Sequence, residues 1–426
     1  MGNLLKKKLS SLLPALRDEA KSIVKEHGTR NISEVTIDQL YGGMRGVKGL
    51  VCDTSEVGLD TGLIIRGIPI LELTDKLPEE VFYLLLIGEL PNAEELKDLQ
   101  EELSARAALP QYVIDMLNAL PADTHPMVMF NTGVLAMEYE SEFRKAYSTG
   151  AAKGNLWEFM LEDCLNIIAR VPILAALVYR KRFNKGDMIA PDKNLDWAAN
   201  YAKMLGIQDD NGKLADLMRL YMVLHSDHEG GNVSAFTTYT VGSALSDAYY
   251  AISAGLNGLA GPLHGLANQE CLNFIVKMRA DFGHSPSDEE VKDYCNKLLQ
   301  SGRVIPGYGH AVLRVTDPRF IAFLEFGNKY IPNDEIFKIV KQLFELVPQI
   351  LIQQGKAKDP WPNVDAGSGS MLYHYGLKEH EYYTVVFSVS RILGMSAQLI
   401  LARGMNASIV RPKSVTTKFV KKSIQA

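Results

Sequence analysis

Helical periodicity dominates this chain. Apolar residues recur every three to four positions through most of its 426 residues, as from Leu96 to Leu103, Trp157 to Tyr179, Asp210 to Leu224 and Val241 to Leu256. Strand-like alternation is confined to the stretch from Lys48 to Ile70. There Gly58-Leu59-Asp60-Thr61-Gly62 can turn a small hairpin between Leu50-Val51-Cys52 and Leu63-Ile64-Ile65. A helix buries only one stripe of its surface, so such a chain closes its core helix on helix, and 47% apolar residues supply a large one. The expected class is mainly α, in two or three domains by length.

Composition shifts near residues 265 and 377 mark an insert of about a hundred residues, a domain-sized piece. The reading is a small domain over 266–376 and a large domain made of 1–265 and 377–426. Within the insert, the loop from Asp281 to Glu290 leads into a capped helix. Small residues recur at Gly242, Ser243, Ala244, Ser246 and Ala248, and again at Ser388, Ser390, Gly394, Ser396 and Ala397. They suit close helix packing, either inside one chain or between two.

A net charge of −5 provides no overall basic field for nucleic acid, so any anion site must be local. No uninterrupted apolar run reaches a membrane span. Cys52, Cys164, Cys271 and Cys295 are scattered without a C-x-x-C pair, which reads as reduced thiols. Lys6, Lys7 and Lys8 precede no secretory hydrophobic stretch, and Asp18 and Glu19 interrupt an arginine-rich transit pattern, so a cytoplasmic protein is expected.

Three distant segments each set one acid-base side chain beside glycine or proline: Gly261-Pro262-Leu263-His264-Gly265, Pro306-Gly307-Tyr308-Gly309-His310 and Asn363-Val364-Asp365-Ala366-Gly367. Two imidazoles and a carboxylate are a complete set for proton transfer, and glycine lets backbone approach a ligand. All three lie in or beside the insert, which places them in its cleft with the larger body. Asp317-Pro318-Arg319 reads as a helix start, where a cation opposes the helix dipole unless an anion sits alongside. Arg391 interrupts an apolar run from Val385 to Met395, and a buried guanidinium must be paired or bind an anionic ligand.

His225-Ser226-Asp227-His228-Glu229 puts two imidazoles at i and i+3 on one helix face, which suits a metal. Asp227 or Glu229 can equally fix an imidazole tautomer. Ala366-Gly367-Ser368-Gly369-Ser370 matches neither a dinucleotide nor a P-loop fingerprint.

These residues, together with Tyr41-Gly42-Gly43-Met44-Arg45-Gly46, His225 to Ser234, Asn257 to Asn268, Thr316-Asp317-Pro318-Arg319 and Arg411-Pro412-Lys413-Ser414, stand in the order of the citrate synthase family. The chain resembles its eukaryotic-type branch over nearly the whole length. The resemblance implies an all-α dimer with a large and a small domain and the active site in the cleft between them. It implies condensation of acetyl-CoA with oxaloacetate and hydrolysis of citryl-CoA, the entry step of the tricarboxylic acid cycle, with no metal and no cofactor beyond the substrates.

By the same resemblance Asp365 is the base, His264 supports the thioester oxygen, and His310 protonates the oxaloacetate carbonyl. His228, Arg319, Arg391 and, from the neighbouring subunit, Arg411 hold the dianion. The CoA grip falls on Val304 to Arg314, with Val304, Gly307, Tyr308, Gly309 and Arg314, and on Arg45. The chain departs from many members at Phe236, Tyr239 and Gly367, where histidine is expected. The alternative within the family chemistry is 2-methylcitrate synthase, which takes propionyl-CoA. The rivals outside it are a metal-dependent hydrolase built on His225, Asp227, His228 and Glu229, and a non-catalytic helical scaffold.

Overall fold

The computed structural model describes residues 4–209, 211–310, 312–355 and 359–425. At its centre runs the helix Tyr383–Gly404, buried along nearly all its length. It packs against the helices Leu156–Arg182, Val233–Ser243, Ala248–Leu259, Pro78–Ile87 and Lys213–Leu224. The segment His380–Gly404 is long and apolar enough to cross a membrane, but 83% of its most apolar window is buried among these neighbours.

Small residues allow that crowding. A methyl group on Gly394 would overlap the Asp227 carboxylate and the Ser226 carbonyl, and the Gly394 N–H donates to Ser226 O at 3.0 Å. Ser390 Oγ donates to Met222 O at 2.7 Å, so the hydroxyl is satisfied inside the core. Gly255 lies so close to Thr238 and Ser234 that only hydrogen fits between the helices. At these positions the small residues serve packing inside one chain.

Three expectations about local structure are corrected. The periodic stretch from Val241 to Leu256 is two helices, Val233–Ser243 and Ala248–Leu259, because Leu245 turns at φ +68° and Asp247 caps the second through the N–H groups of Tyr249 and Tyr250. The hairpin turns where expected, but its first strand, β1, is Ser55–Gly58 and not Leu50–Cys52; it pairs antiparallel with β2, Gly62–Ile65. The pair Gly58↔Gly62 closes a tight loop, so the strand must end at Gly58. A short third strand, β3, Ile68–Pro69, completes the sheet. The helix expected from Asp210 begins at Lys213, and Asp210 itself lies outside the described residues.

The helices Ala267–Phe282, Asp288–Gln300, Pro318–Tyr330, Glu335–Gln354 and Asp365–His374 pack chiefly on one another. Their starts follow the sequence: Ser287 and Glu290 form a capping box, and Asp317 caps a helix with Pro318 at its first position. The hairpin bridges this group and the larger body, since Thr54 and Ser55 bond Asp227 while Leu59 O accepts the Arg314 N–H at 2.9 Å.

Gly394→Ala should lower stability by about 1–3 kcal/mol through overpacking against Asp227. Thermal or urea unfolding measures it, and an unchanged transition would mean that the helix can shift away.

Candidate active site

His264 follows the helix Ala248–Leu259 in a turn closed by Gly265, whose N–H donates to Leu259 O at 3.0 Å and whose missing side chain would strike that carbonyl. Its Nε2 lies 2.9 Å from Ser234 Oγ and 3.4 Å from the Ser234 N–H. A backbone N–H can only donate, so Nε2 is the bare nitrogen and Nδ1 carries the proton. Burial, then the Arg391 charge, pull this imidazole down to about 4, and it is neutral near pH 7.

His310 has the opposite tautomer. Its Nδ1 accepts the N–H groups of Val312 and Leu313 at 3.0 and 2.9 Å, which leaves the proton on Nε2. Burial and then Arg319 lower it to about 4. Gly307 and Gly309, at φ +82° and +97°, shape the loop that presents it, and a Cβ on Gly307 would lie 2.9 Å from Ala366 Cα.

Asp365 opens the helix Asp365–His374. Its segment is pinned to the His310 loop by Gly309 N–H to Trp361 O (3.0 Å) and Asn363 N–H to Gly307 O (2.9 Å). Burial raises the carboxyl to about 6, against the opposing pull of Arg319.

Arg391 is 2% exposed. Its Nε donates to His225 O at 3.0 Å and Nη1 reaches Asn232 Oδ1 at 3.4 Å, while Phe387 lies under the guanidinium at 4.7 Å. Among the described residues no carboxylate forms an ion pair with it, which of the two readings of the sequence leaves the anionic ligand. Burial pulls it down to about 10, still charged at neutral pH. Phe387 also meets the His264 ring at 6.1 Å, which ties the imidazole to the guanidinium.

Arg319 has its anion alongside, and it comes from the same helix start. Asp317, the cap of the same helix, takes its Nε and Nη2, the latter at 2.7 Å, and Nη1 takes no part in this pairing. The pair of His225 and His228 differs from the expectation. The helix ends at Leu224, so the two rings do not share a helical face. His225 donates Nδ1–H to Tyr221 O at 3.0 Å and stacks on Tyr221 at 4.1 Å. Asp227 is committed to Thr54, Ser55 and Gln398, leaving it no free oxygen for a metal. His228 meets His310 edge to face at 5.7 Å, and its buried Nε2 has no partner among the described residues. Burial and the two arginines hold it neutral, well below the usual range.

Against known families, residues 43–413 match the model described as citrate synthase, C-terminal domain. The chain belongs to the citrate synthase family. Its relatives include the probable mitochondrial citrate synthase of Glossina morsitans morsitans, 48% identical over 98% of this chain and 92% of that one. The mitochondrial citrate synthase 4 of Arabidopsis thaliana is 49% identical, over 97% and 89%. Among solved structures, citrate synthase from Pyrobaculum aerophilum superposes with a TM-score of 0.78 at 29% identity, over 88% of this chain and 92% of that one. That from Thermotoga maritima MSB8 gives 0.73 at 25%, over 90% and 96%. Membership makes the chain an acyltransferase acting on acetyl-CoA and oxaloacetate.

The cytoplasmic expectation is corrected by these relatives, which are named mitochondrial. The argument from Asp18 and Glu19 failed for a physical reason. Both belong to the helix Leu4–His27, which packs Leu5, Leu9 and Leu13 into the core, so they are part of the folded body and say nothing about an address.

The remaining citrate synthase positions are not gathered by this chain alone. Arg411 and Arg45 are exposed in irregular segments, and Val304 is 77% exposed. Arg314 turns its guanidinium onto the carbonyls of Val312 and Leu313. Tyr308 is half-buried, and Ala311 within the expected CoA segment lies outside the described residues. Ser234, Asn232 and Phe387 escaped the sequence reading. The only signal for the first two was Asn232 as cap of the helix Val233–Ser243.

Histidine-selective 15N NMR should find His264 protonated on Nδ1 and His310 on Nε2, both neutral at about pH 6. A His264 proton on Nε2 would contradict the Ser234 arrangement.

Proposed function

We propose that Asp365 removes a methyl proton from acetyl-CoA while the Nδ1–H of His264 meets the thioester oxygen, and that His310 delivers its Nε2 proton to the carbonyl of oxaloacetate. The observation that carries this reading is the pair of opposed tautomers, each with a backbone N–H at one ring nitrogen, together with a carboxyl raised to about 6 whose segment is bonded to the His310 loop. A raised carboxyl is a stronger base, and a neutral imidazole can donate to a developing oxyanion without first losing charge balance.

Arg391, the free Nη1 of Arg319 and His228 would hold the carboxylates of oxaloacetate, completed by Arg411 of the partner subunit. Arg45, Arg314 and the segment Val304 to Gly309 would take CoA. The domain division at 266 and 376 is supported by the five helices that pack chiefly on each other. His310, Arg319 and Asp365 would then face His228, His264 and Arg391 across a cleft that can close. Every proton in this scheme moves between side chains and substrates, so no metal or cofactor is assigned.

A homodimer is supported by apolar side chains left in the open on both terminal arms: Ile32, Val35, Met44 and Val51 on one, Ile409, Val415 and Phe419 on the other. Tyr41 Oη reaches Thr417 Oγ1 at 3.3 Å, which joins the arms.

CoA release should require both acetyl-CoA and oxaloacetate, and kcat should fall as pH drops through about 6, where Asp365 takes up its proton. Asp365→Asn should cost roughly a hundred- to ten-thousandfold in kcat with oxaloacetate binding kept, whereas Arg391→Leu should weaken oxaloacetate roughly ten- to a hundredfold. Steady-state kinetics and calorimetry separate the two; loss of oxaloacetate binding in folded Asp365→Asn would overturn the assignment.

Co-expressed Asp365→Ala and Arg411→Ala subunits should recover roughly a quarter of wild-type activity, because one site of each mixed dimer has both groups. Activity no higher than the parents, with mixed dimers confirmed by mass, would place Arg411 in its own subunit's site.

A further inference from the structure

The Asp365 carboxylate stands where backbone normally neutralises it. In the first turn of a helix, unbonded N–H groups and the positive end of the dipole favour a charged carboxylate and make it a weak base. Yet among the described residues no hydrogen bond reaches this carboxylate. The nearest donors are taken by one residue. Asn363 Oδ1 accepts the Asp365 N–H at 3.0 Å, and the Asn363 carbonyl accepts the Ala366 N–H at 3.2 Å. The same amide looks the other way as well, since Nδ2 donates to Gly309 O at 3.0 Å, the carbonyl directly before His310.

We propose that Asn363 is a positioning residue which withholds the helix N–H groups from the Asp365 carboxylate and fixes that carboxylate relative to His310. This rests on the reading of Asp365 as the base. With the amide oxygen removed, the freed Asp365 N–H can turn to its own carboxylate. A hydrogen bond to the charged form lowers the pKa, and a weaker base abstracts the methyl proton more slowly. The other groups facing Asp365 do not change: Arg319 and Asp317 at the start of the helix Pro318–Tyr330, Arg391 on the central helix, Cys271 on the helix Ala267–Phe282 and Tyr221 on the helix Lys213–Leu224.

The test is the pH profile of kcat in the full-length enzyme. Asn363→Ala should lower the plateau about tenfold while moving the acid limb down by about one pH unit, with oxaloacetate affinity unchanged. General loosening of the fold lowers the plateau without moving the limb in that direction. Asn363→Asp has the same shape, keeps the acceptor, loses the donor to Gly309 and adds a negative charge near Asp365, so its plateau should fall while its limb stays at or above the wild-type position. It serves as the test if Asn363→Ala does not fold. An unmoved limb in folded Asn363→Ala, or a lowered limb in Asn363→Asp, overturns the proposal. Asp365→Asn run alongside separates the two readings: wild-type kcat there would refute the base itself, whereas an inactive Asp365→Asn beside an unaltered Asn363→Ala would refute only the role of Asn363.

Discussion

The structure depends on a positive charge buried without a carboxylate against it. Arg391 sits 2% exposed in the middle of the central helix, held by a carbonyl, an amide oxygen and an aromatic face. An unpaired buried ion costs several kcal/mol, so the surroundings must compensate. Asp227, buried nearby, supplies attraction from a distance without occupying the guanidinium, because Thr54, Ser55 and Gln398 hold its oxygens. The positive field that results lowers the affinity of His264 and His228 for protons and partly restrains the rise of Asp365. This unpaired guanidinium therefore adds to burial and to Arg319 in holding the imidazoles around it neutral.

The second constraint is backbone. His264 and His310 lie on glycine-rich turns, and each is held by main-chain N–H groups at one ring nitrogen. Main-chain donors cannot reverse their role, so the path of the chain sets the His310 tautomer and acts with the Ser234 hydroxyl at His264. Asp365 is handled in the reverse sense, with the adjacent N–H groups directed to Asn363 and the carboxylate left without a donor among the described residues. Donors are supplied to the two imidazoles and withheld from the carboxylate.

The site is assembled from two helical groups. His228, His264 and Arg391 come from around the central helix, while His310, Arg319 and Asp365 come from the five helices between Ala267 and His374. The hairpin touches both, through Asp227 on one side and the Arg314 N–H on the other. A displacement of one group relative to the other would therefore be felt at Asp227 and in the loop that carries His310.

Much of this protein is determined by its sequence alone. The 3.6-residue period dictated a helical fold, Asp317-Pro318 and Ser287 to Glu290 dictated helix starts, and Arg391 within an apolar run dictated a buried cation that needs a partner or an anionic ligand, because burial and charge are both written in residue type and spacing. Tertiary structure alone decided the rest. It broke the helix at Leu245, ended another before His228, and set Ser234 against the Nε2 of His264, which decides the nitrogen that bears that proton. Those outcomes depend on which N–H or carbonyl lies within about 3 Å of a given atom. That distance is set by segments far apart in sequence, as Ser234 is from His264 and Asn363 from Gly309, and no local pattern encodes it.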